Sequence, residues 1–113
     1  MALTIWHNPR CSKSRATLAL LTERGLAPEV RLYLDMPPTR TELEETLRKL
    51  GRPAADLLRW GEKDRPTALS KDASDAEILD ALCANPRLIE RPVVLTDTVA
   101  RIGRPPEAVL DIL

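Results

Sequence analysis

Leu3-Thr4-Ile5-Trp6-His7-Asn8-Pro9-Arg10-Cys11-Ser12-Lys13-Ser14-Arg15 changes character twice within a few residues. Leu3 to Trp6 is short, apolar and partly β-branched, which suits a strand, and His7-Asn8-Pro9 breaks it. From Lys13 the chain runs Ser-Arg-Ala-Thr-Leu-Ala-Leu-Leu-Thr-Glu-Arg and stops at Gly25, a helix with glycine where a left-handed C-terminal residue is needed. The reading is therefore strand, turn, helix, with Cys11 at the joint.

Outward from this unit, Pro28-Glu29-Val30-Arg31-Leu32-Tyr33-Leu34 alternates as a half-buried strand does, and Asp35-Met36-Pro37-Pro38 ends it. Thr39-Arg40-Thr41-Glu42 fits a capping box, and Leu43, Leu47 and Leu50 follow at helical spacing before Gly51. A short helix is expected over 54–59 and a charged loop over 60–71. Ser74-Asp75-Ala76-Glu77 is a second capping box, opening a helix through Ile78, Leu79 and Leu82 that ends at Asn85-Pro86. Pro92-Val93-Val94-Leu95 and Val99-Ala100-Arg101-Ile102 read as a hairpin, and Gly103-Arg104-Pro105-Pro106 leads into a last helix from Glu107 to Leu113. The order β-α-β, then helices, then β-β-α is that of an α/β fold with a thioredoxin-like mixed sheet. It predicts one domain over residues 1–113, with a helical insertion at about 39–86 between the halves.

Composition narrows the function. The 113 residues carry 17 Lys+Arg against 17 Asp+Glu, with 43% hydrophobic and 30% charged residues, the profile of a folded chain whose core needs no metal or disulfide. Balanced charge and only two Trp, one Tyr and no Phe argue against a nucleic-acid surface, which needs a basic groove with stacking aromatics. No apolar run approaches a membrane span and the N-terminus lacks a secretion signal, so no membrane partner and a cytoplasmic location are expected. Cys11 and Cys83 are then free thiols. One histidine and two distant cysteines give no metal-ligand spacing, and no glycine-rich phosphate loop occurs. A monomer is expected.

Cys11 precedes a helix N-terminus, where unpaired amides and the helix dipole favour anions, and His7, Arg10, Lys13 and Arg15 lie within four residues. Such surroundings favour a reactive thiolate; the alternative is a small buried hydrophobe. Residues 11–14 read Cys-Ser-Lys-Ser, so no disulfide can form within this loop, and a resolving thiol must be Cys83 or external. Cys83, next to Leu82 on the apolar side of its helix, is expected to be buried. Arg59 ends Leu57-Leu58, Arg91 precedes Pro92 and Arg104 precedes Pro105-Pro106. An arginine before proline is aimed by an extended backbone, and a cis Arg91-Pro92 bond would bring Arg91 beside the first helix. Spacing alone leaves all three open to being solvated surface arginines.

His7-Asn8-Pro9-Arg10-Cys11-Ser12-Lys13-Ser14-Arg15, with Tyr33-Leu34, Pro37-Pro38-Thr39, Leu57-Leu58-Arg59, Glu90-Arg91-Pro92-Val93-Val94 and Ile102-Gly103-Arg104-Pro105-Pro106, closely resembles the glutaredoxin-linked arsenate reductase family of the ArsC/Spx-like superfamily. Ending at Leu113, the chain is most similar to the short chromosomal members. The resemblance implies that Cys11 is the nucleophile that attacks arsenate, that Arg59, Arg91 and Arg104 surround the oxyanion, and that His7, Ser14 and Arg15 support the cysteine loop. It implies no bound cofactor; glutathione as co-substrate adds to the arsenic, glutaredoxin helps release the product, and arsenite leaves. Two other readings share the fold: an Spx-like regulator that binds RNA polymerase, in which the loop often reads Cys-x-x-Cys, and a monothiol oxidoreductase acting on glutathione mixed disulfides.

Overall fold

The computed structural model of the chain describes residues 2–63, 65–67 and 69–113. Strands β1 (Thr4–Trp6), β2 (Glu29–Arg31), β3 (Val93–Leu95) and β4 (Ala100–Ile102) form one sheet in the order β2-β1-β3-β4. The β1–β2 pair is parallel, while β1–β3 and β3–β4 are antiparallel. This is the thioredoxin-like mixed sheet expected from the element order. Helix α1 (Ser12–Glu23) makes the crossover between β1 and β2; α2 (Arg40–Leu50) and α3 (Asp75–Ala84) come between β2 and β3.

Because successive strand residues face opposite ways, the sheet divides two cores. Leu3, Ile5 and Val94 pack with Leu21 of α1 and Val109 on one face. Trp6 and Val93 face the other way, into Leu43 of α2, Ile78 and Leu82 of α3, and Leu57 and Ile89 from the segments on either side of α3. Burial on both faces explains why β3 is a continuous apolar run and why Ile5 and Trp6 of β1 are both apolar, instead of alternating with polar residues.

Both capping boxes form, Thr39 with Glu42 and Ser74 with Glu77, since each needs only residues within one helical turn. Gly25, at φ +79°, closes α1 in a Schellman arrangement: its N–H donates to the Thr22 carbonyl and that of Leu26 to the Leu21 carbonyl.

The second strand is shorter than expected and turned the other way. It ends at Arg31, because the Leu32 carbonyl accepts from the amides of Asp35 and Met36 and so makes a turn. Val30, Leu32 and Leu34 are exposed, whereas Tyr33 is buried and Arg31 reaches inward to a two-pronged ion pair with Glu42. At this edge, burying a tyrosine and half-burying a bidentate ion pair won over burying three aliphatics. The short helix expected over 54–59 is a 3-10 turn, Ala54–Leu57, and the last helix is also 3-10, over Pro106–Ile112. Of the loop expected over 60–71, Asp64 and Ala68 lie outside the described residues, as does Met1. Cys83 is exposed, contrary to expectation: the apolar face of α3 is formed by Ile78, Leu79 and Leu82, and the residue after Leu82 is rotated about 100° from it.

Candidate active site

The turn between β1 and α1 is fixed by its own polar groups. The Cys11 amide donates to the Asn8 carbonyl at 3.0 Å and the Arg15 amide to the Cys11 carbonyl at 3.0 Å. The Asn8 side chain accepts from the Arg10 amide at 3.0 Å, and Arg15 Nη1 reaches back to the Pro9 carbonyl at 2.8 Å. Arg15 thus clamps the loop from outside. Ser14 is fully buried and ties the loop to the strand: its hydroxyl accepts from the Asn8 amide at 3.0 Å and lies 2.7 Å from His7 Nδ1. Burial, aided by the Arg15 guanidinium, pushes the His7 imidazole below its usual value. A neutral ring suits this arrangement, with Nδ1 accepting the Ser14 hydroxyl proton.

Cys11 is itself the N-cap of α1, and its side chain makes no capping bond. The amides of Ser12, Lys13 and Ser14 have no backbone acceptor among the described residues, and the first turn carries no acid. The nearly buried sulfur therefore sits at an uncompensated helix N-terminus. Arg104 Nη2, from the C-terminal segment, lies 3.9 Å from Cys11 Sγ.

The other arginines arrive by backbone pairing. Leu58 bridges Ile89 antiparallel, with the Arg59 amide on the Leu88 carbonyl at 2.7 Å and the Glu90 amide on the Leu57 carbonyl at 2.6 Å. That ladder sets Arg59 beside Glu90. The Gly103 amide donates to the Pro92 carbonyl at 2.9 Å, and Arg104 Nε to the Arg91 carbonyl at 3.0 Å, which binds the Arg91 and Arg104 segments together. Both Arg91–Pro92 and Arg104–Pro105 are cis.

Of the three arginines, Arg104 alone touches Cys11 among the described contacts. Arg59 pairs with Glu62 at 2.8 Å, holding that carboxyl below its usual range, and lies 3.9 Å from Glu90. Arg91 joins through its carbonyl, and its Nε and Nη1 are buried without a hydrogen-bonding partner among the described residues. Two buried guanidinium nitrogens with unmet donors are a place where an anion would be welcome.

Two residues escaped the sequence reading. Glu90 Oε1 forms an ion pair with Arg104, 3.0 Å from its Nε; burial pushes the carboxyl above the ordinary range, against the pull of Arg104 and Arg59. Tyr33 is buried, and burial foremost pushes its phenol up to about 12, with Asn8 and the charge of Arg59 pulling the other way. The signals were there: one acid inside a run of arginine-bearing segments, and the only tyrosine in the chain. A cleft of about 630 Å³ opens beside the cysteine loop, lined by His7, Asn8, Pro9, Arg10, Tyr33 and Arg59 among others. Chemically the site can hold an oxyanion against a thiolate, with amides on one side and guanidinium groups on the other.

Comparison with known proteins follows the same lines. The family model described as the ArsC family matches residues 6–112. Over 112 residues the chain is 46% identical to an uncharacterized protein, YfgD, of Escherichia coli K12, covering 96% of this chain and 94% of that one. An arsenate reductase of Neisseria meningitidis is 44% identical, with 98% and 97% of the two chains covered. The solved structure of an arsenate reductase from Vibrio cholerae superposes with a TM-score of 0.89 at 42% identity, over 100% and 98% of the chains.

Proposed function

Since the chain belongs to the ArsC family, we propose that it reduces arsenate to arsenite through a covalent intermediate on Cys11, with glutathione as co-substrate and glutaredoxin as partner. The observation that carries this reading is the Cys11 sulfur at an uncompensated helix N-terminus, 3.9 Å from the Arg104 guanidinium, in a chain 44% identical to a protein named arsenate reductase.

Arsenate enters as an anion. The free amides of Ser12, Lys13 and Ser14, the side edge of Arg104 and the unmet donors of Arg91 are the groups that receive its oxygens. Arg59 would join on release from Glu62. Fixed donors around the oxyanion hold the arsenic in line with the sulfur and lower the cost of bringing two negative groups together. The thiolate then forms a sulfur–arsenic bond while one oxygen leaves as water. A glutathione thiol then condenses with the arsenic, expelling a second water; a second thiol attacks that glutathione sulfur, so that a disulfide forms and the arsenic keeps the electron pair of the broken bond; and water cleaves the Cys11–arsenic bond to release arsenite and return the thiol. External thiols are needed because the loop offers none: Ser14, fully buried on His7 and Asn8, stands where a second loop cysteine would be, and Cys83 is exposed on α3.

The test is direct detection of arsenite from arsenate with purified protein, omitting glutathione and glutaredoxin in turn. Product that requires both supports the full reading; product that survives without glutathione refutes the proposed reductant.

A further inference from the structure

Glu90 occupies a place that the arginines of an oxyanion site would be expected to keep clear of acids. Its Oε1 lies 3.0 Å from Arg104 Nε, whose single N–H donates to the Arg91 carbonyl, and 3.9 Å from Arg59 Nε, with the side chain only 21% exposed. Nε and Nη2 form one edge of the guanidinium fork. The edge that faces Glu90 at Nε presents Nη2 to Cys11 Sγ at 3.9 Å. The Nη2 end of this edge is open to an oxygen of a tetrahedral anion, and the guanidinium charge that would attract the anion is already paired with a carboxylate.

Resting on the oxyanion reading above, we propose that Glu90 is the acid of the first chemical step. The arriving oxyanion displaces its carboxylate from Arg104, Glu90 takes up a proton, and that proton leaves with the oxygen expelled by the Cys11 thiolate. The step balances. A sulfur–arsenic bond forms, one arsenic–oxygen bond breaks, and the departing hydroxide becomes water with the proton of Glu90. Arsenic is not yet reduced. The carboxylate that remains returns to Arg104, so the same fork serves substrate and acid in turn.

The neighbourhood supports this exchange. Burial already raises Glu90 against the pull of Arg104 and Arg59, so surrendering one partner moves it further in the same direction. Tyr33 and Cys11 share its surroundings, and Tyr33, at about 12, keeps its proton near neutrality. Arg52, Asp56, Arg101 and Asp111 line the other cleft that Glu90 and Arg104 border; the two arginines keep their charge at any working pH.

Sulfate, whose charge is constant near neutrality, is the probe, titrated calorimetrically into a Cys11→Ser variant from about pH 5.5 to 8 in buffers of different ionisation enthalpy. The expected result is uptake of about one proton per sulfate, with affinity weakening as pH rises. Adding Glu90→Gln is expected to abolish the uptake, flatten the pH dependence and tighten binding about tenfold at neutral pH, since no charge-assisted bond is surrendered. With Cys11 present, Glu90→Gln should lower kcat for arsenate while KM falls. If Glu90→Gln does not fold, Glu90→Asp must keep the uptake at a shifted midpoint. Equal affinity and equal uptake with and without Glu90→Gln would overturn the proposal, as would uptake that disappears with His7→Gln. Those outcomes leave the oxyanion reading standing; that reading fails instead if sulfate does not bind and the wild type does not turn over arsenate.

Discussion

Gly103→Ala probes how Arg104 is held at the cysteine. A Cβ on Gly103 would lie 2.7 Å from Pro92 Cγ, 2.7 Å from Thr17 Oγ1 and 3.2 Å from Thr17 Cγ2. Neither neighbour can swing aside. Pro92 is a buried ring, and Thr17 is fully buried with its hydroxyl bonded to the Lys13 carbonyl at 2.8 Å. Overpacking of this kind costs about 1–3 kcal/mol, partly offset by the ~0.4–1 kcal/mol that alanine gains over glycine in the unfolded chain. A net loss of about 1–2 kcal/mol is expected, lowering the urea midpoint by about 1 M. Thr17→Ala removes both of the Thr17 contacts, so the double variant should recover about 1 kcal/mol relative to the sum of the single changes. Because Gly103 is bonded to Pro92 and immediately precedes Arg104, kcat/KM for arsenate should fall in Gly103→Ala and return in part with Thr17→Ala. Urea unfolding of the four proteins checks this. A Gly103→Ala protein as stable as the wild type, or strictly additive costs, would refute the reasoning.

Further outcomes follow from other contacts. Glu42 is held at about 2, chiefly by its hydrogen bond to Arg31, so its contribution is complete above the ordinary carboxylate value and is lost as pH falls towards 2. With the side chain 40% exposed, solvent screening leaves about 1 kcal/mol. Urea unfolding should find Glu42→Gln less stable than wild type at neutral pH and the gap closing below about pH 4; an unchanged gap there would contradict the ion pair's role. Ser14→Ala strands the half-buried Asn8 amide and the buried His7 Nδ1, at a cost of about 1–3 kcal/mol measurable by denaturation; a neutral change would mean that the Ser14 bridge does not hold the loop. Cys83→Ser, at an exposed position, should leave stability within about 0.5 kcal/mol and arsenate turnover intact. A loss of turnover in that variant would make Cys83 the resolving thiol.

What could be read in the sequence was what is decided locally. The capping boxes at Thr39 and Ser74 and the glycine stop at Gly25 each depend on a few consecutive residues, and each forms. The cysteine at a strand-to-helix joint was equally legible, because strand, break and helix follow within one short stretch. Readings failed where tertiary competition decides. Alternation in 28–34 marks two faces without saying which is covered; the ion pair of Arg31 with Glu42 and the burial of Tyr33 turned the aliphatics outward. Cys83 sits one residue past the apolar face of α3, an angular difference that adjacency to Leu82 concealed. Motif order brought Arg59, Arg91 and Arg104 into one neighbourhood, but only the Leu58–Ile89 bridge shows why Glu90 lies between two of them.

The measurement that tests the central claim most directly is arsenate-dependent NADPH oxidation, coupled through glutathione, glutathione reductase and glutaredoxin, for wild type and Cys11→Ser. The account predicts turnover in the wild type that vanishes with the serine. Turnover that survives Cys11→Ser, or none from folded wild type with Cys11 reduced, would contradict it.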